Sequence, residues 1–186
     1  MRTIKIDVYT FDELSEEAKK TAIDNFNYDA EYFWGNDALK TIEIALAHFG
    51  ASLSDYSIDW LNAAHSHFSI DMNEEIGELR YIALKKHIYK SGMLQYYCKY
   101  DKKLKNTLDG NCPFTGYCAD EDFLDEIREF IKNPYNISFK NLLFDCVERV
   151  LKTAQNDFEE QRTEEYLSDH FDANGYEFTV DGERVK

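Results

Sequence analysis

The sequence predicts an α+β protein in which about five helices cover a small antiparallel or mixed sheet. Three observations predict it: an alternating apolar segment at the N-terminus, β-like segments that come in pairs, and several longer stretches with helical periodicity. Paired strands, rather than strands that alternate singly with helices, favour α+β over α/β. A chain of 186 residues with 44% hydrophobic residues is predicted to form a single domain over residues 1–186.

The first elements are a strand and a capped helix. Residues Thr3–Tyr9 alternate strictly, with Ile4, Ile6 and Val8 on one face, as expected for a half-buried strand. Ser15 precedes two glutamates and an apolar stripe, a pattern typical of a helix start, and the helix is expected to fade near Asn27.

A second helix and a central hairpin are predicted next. Asn36 or Asp37 is expected to cap the helix, and Gly50 to end it. Two strands then follow, Tyr56–Trp60 and His65–Met72, joined by a short connection.

The second half of the chain is predicted to be mainly helical. Helices are expected over Ile76–Tyr89, over a short stretch near Met93–Tyr100, and from Ala119 or Asp120 to just before Pro134.

The C-terminal region is predicted to hold a long helix and a hairpin. Ser138 is expected to cap the helix, which breaks near Thr163 and resumes as far as Asn174. The residues from Tyr176 onward predict a terminal hairpin with a two-residue turn at Asp181-Gly182.

The charge balance narrows the function classes. The chain has 21 basic and 36 acidic residues, a net charge of −15. This charge disfavours nonspecific binding to bare nucleic acid or to an anionic membrane, and it favours a basic partner such as the nucleic-acid groove of another protein. The alternative is an acidic surface that serves solubility alone.

Carboxylates concentrate along the last helical stretch. They include Glu159, Glu160, Glu165, Asp169 and Asp172. A row of Glu165, Asp169 and Asp172 on one helical face would imitate a line of phosphates and bind a basic partner, and a solvated helix face is the alternative interpretation.

One segment is basic, although the chain as a whole is acidic. From Arg80 to Lys105 there are eight basic residues and one acid, and five tyrosines lie among them. Lysines neutralise phosphates and tyrosine rings stack on bases, so the segment is a candidate single-stranded nucleic-acid track. The alternative is a basic segment that lies over acidic helices of the same fold. The candidate lysines are Lys85, Lys86, Lys90, Lys99, Lys102, Lys103 and Lys105.

Sequence signals for catalysis and for metal or cofactor binding are weak. His65 and His67 lie two apart on the predicted strand, so they are candidates for acid–base catalysis or for the start of a metal site, with exposure at a sheet rim as the alternative. Four cysteines lack a Cys-x-x-Cys pair, which disfavours zinc, and phosphate-binding, dinucleotide-binding and serine-hydrolase motifs are missing. No cofactor or metal is expected.

Two segments carry a resemblance to a known family. They are Tyr9–Lys19 (YTFDELSEEAK) and Asn111–Asp125 (NCPFTGYCADEDFLD), with Asn174–Gly182 as weaker support. Together they resemble small proteins of phages and mobile elements of Firmicutes, some of which are associated with inhibition of type II CRISPR nucleases. The resemblance covers much of the chain and carries over no catalytic residues.

These observations lead to three functional hypotheses. The preferred one is a phage-encoded, non-enzymatic inhibitor that binds a type II CRISPR effector or its guide RNA complex in the cytoplasm of the bacterial host. The first alternative is an RNA-binding or RNA-processing enzyme that uses the basic segment and His65 with His67. The second is a self-assembling phage accessory protein, and a homodimer is compatible with all three. No apolar run is long enough to span a bilayer, and the start lacks a signal-peptide pattern.

Overall fold

The structure, a computed structural model, describes residues 7–28, 30–90 and 112–185. These residues form seven α-helices and a two-stranded antiparallel sheet, which confirms the predicted α+β class. The chain divides into two compact units. The terminal unit comprises Met1–Tyr32 and Asp157–Lys186, and the central unit comprises Phe33–Asn156. The single domain over residues 1–186 stays a prediction.

Helices and strands follow the predicted order closely in most of the chain. Their bounds are α1 Glu16–Tyr28, α2 Gly35–His48, β1 Ala51–Ser57, β2 His67–Met72, α3 Glu74–Gly77, α4 Tyr81–Lys90, α5 Ala119–Lys132, α6 Phe139–Glu160 and α7 Glu164–Ala173. The predicted short helix near Met93–Tyr100 lies outside the described residues.

Two predicted side-chain caps and one predicted helix break are confirmed. The Ser15 Oγ accepts a hydrogen bond from the Ala18 N–H at 3.3 Å at the start of α1. The Ser138 Oγ accepts one from the Asn141 N–H at 3.3 Å at the start of α6. The break near Thr163 is confirmed, because the Thr163 side chain caps α7.

The predicted cap of α2 was wrong. The helix begins at Gly35, so its N-cap is Trp34, two or three residues before the predicted cap at Asn36 or Asp37, and Trp34 makes no side-chain cap. A Cβ on Gly35 would lie 2.8 Å from the Trp60 Nε1. The first residue of the helix therefore packs closely against the Trp60 indole, where a side chain would collide with the ring.

The first central strand was also misplaced. It is Ala51–Ser57, not Tyr56–Trp60, and it starts directly after Gly50, whose φ is +73°. The left-handed glycine turns the chain out of α2 and straight into the sheet. The register pairs Leu53 with Ile70, and it shifts between Ser54 and Ser57.

The predicted helix Ile76–Tyr89 is interrupted. Helix α3 ends at Gly77 and α4 begins at Tyr81, whose φ is +48°. Between them the Leu79 carbonyl accepts a hydrogen bond from the Phe139 N–H at 3.0 Å, and Arg80 forms a β-bridge with Ser138. Pairing with a distant segment removes these two residues from the helix.

The central unit has one hydrophobic core beneath α2, α4, α5, α6 and the hairpin. At its edge the buried Asp120 carboxylate accepts five hydrogen bonds. Three come from the successive backbone N–H groups of residues 114–116, and two come from the hydroxyls of Thr41 and Thr115. Asp120 therefore holds the loop before α5 instead of capping that helix.

The terminal unit has a smaller, mainly aromatic core. Phe171 of α7 packs against Phe11 and Phe178 with ring centroids 5.2 Å apart in each pair. The predicted N-terminal strand is described only from Asp7, and there Tyr9 forms an isolated antiparallel bridge with Phe178.

The predicted terminal hairpin has a different loop. The Thr179 N–H donates to the Glu183 carbonyl at 2.8 Å, so the loop has three residues, Val180, Asp181 and Gly182. Gly182 adopts a φ of +84° as the last of the three. The two-residue Asp181-Gly182 turn was therefore wrong, and the common three-residue loop with glycine in the left-handed region replaces it.

Candidate functional site

The acidic row, defined as Glu165, Asp169 and Asp172, lies on α7 of the terminal unit. All three side chains are exposed. At 100° per residue they fall within about 60° of arc, and they span about 10 Å along the helix. Glu159 and Glu160 are exposed in the last turn of α6. The arrangement therefore presents a line of negative charge to solvent.

The connection between α6 and α7 is held by contacts within the terminal unit. The Asp157 carboxylate accepts hydrogen bonds from the Tyr32 hydroxyl at 2.7 Å and the Gln161 amide at 2.9 Å. The Arg162 carbonyl accepts one from the Asn27 side chain at 3.2 Å. The Arg162 guanidinium carbon lies 5.5 Å from the centre of the Phe158 ring. These contacts fix the start of α7.

Carboxylates of the acidic row and of α5 have different environments. In the central unit, Arg128 pairs with Glu121 and Asp125, and Arg149 pairs with Asp125 and Glu126. None of the three carboxylates in the acidic row forms an ion pair within residues 7–28, 30–90 and 112–185. The charge of the row is thus left for solvent or for a partner.

The whole-chain charge is also unevenly divided. The terminal unit has 18 acidic and 7 basic residues in its sequence, a net charge of −11. The central unit, twice as long, has 18 acidic and 14 basic residues, a net charge of −4. Most of the net negative charge therefore belongs to the unit that carries the acidic row.

Perturbed carboxylates lie in the central unit. Burial, followed by the neighbouring Glu126 and Glu148, raises the pKa of Asp145. Burial also raises the pKa of Asp122, although a hydrogen bond from Thr153 opposes the shift. The hydrogen bond to Glu126 raises the pKa of Arg149. The two carboxyl shifts come mainly from burial, and the Arg149 shift comes mainly from its hydrogen bond to an oppositely charged side chain.

His65 and His67 do not share a strand. His65 closes the short 3-10 turn Ala63–His65, where its Nδ1 lies 3.7 Å from the Asp59 carboxylate, whereas His67 is the first residue of β2. Both side chains are exposed. The strand alternation that made them a pair therefore does not apply, and their acid–base role stays a prediction.

The basic segment is described only in part. Lys85, Lys86 and Lys90 lie on α4, and the Lys85 Nζ is 5.9 Å from the centre of the Tyr89 ring. The other candidate lysines lie outside the described residues: Lys99, Lys102, Lys103 and Lys105. Nucleic-acid binding by this segment stays a prediction.

The three cysteines within the described ranges do not form part of a cluster of metal-ligating side chains. Cys112, Cys118 and Cys146 are free, and complete burial raises the pKa of the Cys146 thiol well above its ordinary value. No group of three or more metal-ligating side chains occurs among the residues that the structure describes. Cys98 lies outside them.

Two concave surfaces were not predicted from the sequence. In the central unit, a groove of about 460 Å³ runs past the stacked rings of Phe68 and Phe144, with His67, Glu148 and Lys152 along it. In the terminal unit, a pocket of about 400 Å³ lies among aromatic rings from α1, α7 and the C-terminal segment. Each concave surface is formed by segments that are far apart in the chain, so no local sequence pattern predicts it.

In comparisons with known proteins, no protein-family description, curated protein or solved structure matches the chain. Across the described helices, none combines the length and the apolar character that crossing a lipid bilayer requires.

Proposed function

We propose that this protein is a non-enzymatic inhibitor that binds the cationic nucleic-acid groove of a bacterial defence nuclease through the acidic row. The observation that carries the proposal is the exposed, unpaired line of Glu165, Asp169 and Asp172. It lies in the unit that holds −11 of the net charge of −15.

The physical argument is competition for positive charge. A nucleic-acid groove is lined with lysine and arginine, and it binds polynucleotide largely through phosphate neutralisation. Carboxylates about 5–6 Å apart along a helix supply a comparable line of negative charge. Because the helix is already folded, little conformational entropy is lost when it binds.

The most specific form of the proposal is an inhibitor of a type II CRISPR effector, encoded by a phage and acting in the cytoplasm of the infected host. Such effectors hold guide and target in a positively charged channel. The resemblance of Tyr9–Lys19 and Asn111–Asp125 to phage and mobile-element proteins supports this form. The partner is then the effector nuclease, alone or with its guide RNA.

A cleavage assay tests the proposal. Guide-loaded type II nucleases are assayed on target DNA with and without the protein, and with the triple variant Glu165→Gln, Asp169→Asn, Asp172→Asn. We expect the wild type to inhibit, and the triple variant to need at least about tenfold more protein for half-inhibition, since each lost charge contact contributes on the order of 0.5–1 kcal/mol. Inhibition should also weaken as salt rises.

The matched control removes the same amount of charge from the central unit. Asp37→Asn, Glu43→Gln and Asp71→Asn neutralise three exposed carboxylates there. We expect this control to inhibit as the wild type does. Equal loss in both triple variants would show that only total charge matters, and a fully active acidic-row variant would reject the proposed site. Absence of inhibition across several type II effectors would reject the CRISPR form of the proposal.

A further inference from the structure

We propose that the pocket in the terminal unit binds an arginine side chain of the partner. The pocket has a volume of about 400 Å³ and opens among Phe26, Phe171, Tyr176 and Phe178, with Glu183 at its edge. The identity of the partner rests on the proposed function above. The affinity of the pocket for an arginine side chain is argued from the residues around it alone.

The aromatic walls of the pocket come from three separate segments. The Phe26 ring of α1 packs edge-on against Phe171 of α7, with centroids 5.3 Å apart. Tyr176 stacks on Phe171 at 5.5 Å and an interplanar angle of 25°. Aromatic faces carry negative electrostatic potential, so a pocket walled by them attracts a flat cation.

The chain itself places a guanidinium against this wall. The Arg184 guanidinium carbon lies 3.5 Å from the centre of the Tyr176 ring, which is the distance of direct stacking. Phe171 is also stacked on the Tyr176 ring, so a partner's arginine reaches the ring by displacing Arg184, whose exposed side chain can swing into solvent. The internal contact therefore serves as an example of the ligand that the ring accepts.

Glu183 and Arg184 both line the pocket, so an incoming cation meets an unbalanced carboxylate there once Arg184 has been displaced. The Glu183 carboxylate lines the pocket, and its Oε1 accepts a hydrogen bond from the Asn25 amide at 3.3 Å. The terminal unit carries a net charge of −11, which disfavours an anionic ligand. Arginine is favoured over lysine because a planar guanidinium both stacks on a ring and donates paired hydrogen bonds to a carboxylate.

A titration of the full-length, isotope-labelled protein tests the pocket without any nuclease. N-acetyl-arginine methylamide is the probe, and the lysine and citrulline analogues are the controls. Citrulline keeps the shape of arginine and lacks its charge. We expect NMR shift changes confined to Phe26, Tyr176, Phe178 and Arg184 with the arginine probe, at least about threefold weaker binding of the lysine probe, and no localised change with citrulline.

Variants measure the separate contributions of the Tyr176 ring, the Glu183 carboxylate and Arg184, which competes with the probe for the ring. Arg184→Ala frees the ring face, so it should bind the arginine probe about threefold more tightly. Tyr176→Phe should retain binding, and Tyr176→Leu should lose it while keeping an apolar side chain of similar bulk. Glu183→Gln should weaken binding without changing the fold, which the unchanged amide spectrum of the remaining residues would verify.

Two results would overturn the inference. One is equal binding of the arginine and citrulline probes, which would make the pocket a site without charge selectivity. The other is the lack of localised shift changes in both the wild type and Arg184→Ala. Neither titration result changes what the cleavage assay measures, and a failure to inhibit the nuclease does not change the titration. Each proposal can therefore be rejected without rejecting the other.

Discussion

The terminal and central units use their acidic residues differently. Both contain 18 acids, but the central unit balances them with 14 basic residues and the terminal unit with 7. In the central unit, Arg128 and Arg149 form ion pairs with three carboxylates of α5, those of Glu121, Asp125 and Glu126. In the terminal unit, the acidic row on α7 is exposed. This unequal balance of charge is the difference between the units on which the proposed function rests.

The cores of the units differ as well. The central unit buries aliphatic side chains from four helices and a hairpin, and it satisfies a buried carboxylate, Asp120, with five hydrogen bonds. Within the described part of the terminal unit, the core cluster contains seven buried residues, among which Phe11, Phe171 and Phe178 pack ring against ring. A small core makes the terminal unit more sensitive to the loss of one ring.

The largest expected effect is in the aromatic core. Phe171→Ala removes a ring that is 1% exposed and should lower the free energy of unfolding of the terminal unit by about 4 kcal/mol. Hydrogen exchange followed by mass spectrometry should show faster exchange in peptides from α1 and α7. Tyr166→Ala, on the exposed side of the same helix, is the control and should change exchange little. Equal effects would contradict the assignment of Phe171 as the centre of this core.

The next effect tests the buried carboxylate of the central unit. Asp120→Ala leaves three backbone N–H groups without their acceptor and should lower the free energy of unfolding by about 3 kcal/mol. Denaturation followed by tryptophan fluorescence reports this unit, because Trp34 and Trp60 both belong to it. Glu129→Ala, an exposed position on the same helix, should leave the midpoint nearly unchanged.

A third variant tests the closing turn of the terminal unit. A Cβ on Gly182 would lie 2.1 Å from the Ala18 carbonyl oxygen, and the φ of +84° disfavours any side chain. Gly182→Ala should therefore cost about 2 kcal/mol. Gly175→Ala is the matched control, since its φ is +62° but nothing lies within 4 Å, and it should cost about 1 kcal/mol. Equal midpoints for the two variants would disprove the close approach to α1.

The smallest effect concerns a crowded carboxylate of the central unit. The pKa of Asp145 is raised in the folded state by burial and by Glu126 and Glu148, so its ionisation opposes folding. Asp145→Asn should stabilise the protein by roughly 0.3 kcal/mol at pH 7, the size of one like-charged helical pair. The gain should vanish below the ordinary carboxyl pKa, where both states hold the proton. A gain that persisted at low pH would exclude charge as its cause.

The sequence determined the α+β class, most helix positions, two of the caps and the break near Thr163. Repeating apolar residues and side-chain caps act within a few residues, so Ser15 and Ser138 mark the starts of their helices locally. The position of the acidic row on one helix face could also be predicted from the sequence, because residues three and four apart on a helix share a face in any surroundings.

Tertiary structure decided the features that depend on distant partners. The Trp60 indole packs closely against Gly35 at the start of α2, and Ser138 and Phe139 interrupt the helix before Tyr81 by pairing with the backbone of Leu79 and Arg80. The pocket beside Tyr176 joins α1 to the C-terminal segment, about 150 residues away in the chain. The unequal pairing of carboxylates is likewise invisible in composition, because an ion pair requires two side chains to meet in space, and only folding determines which ones do.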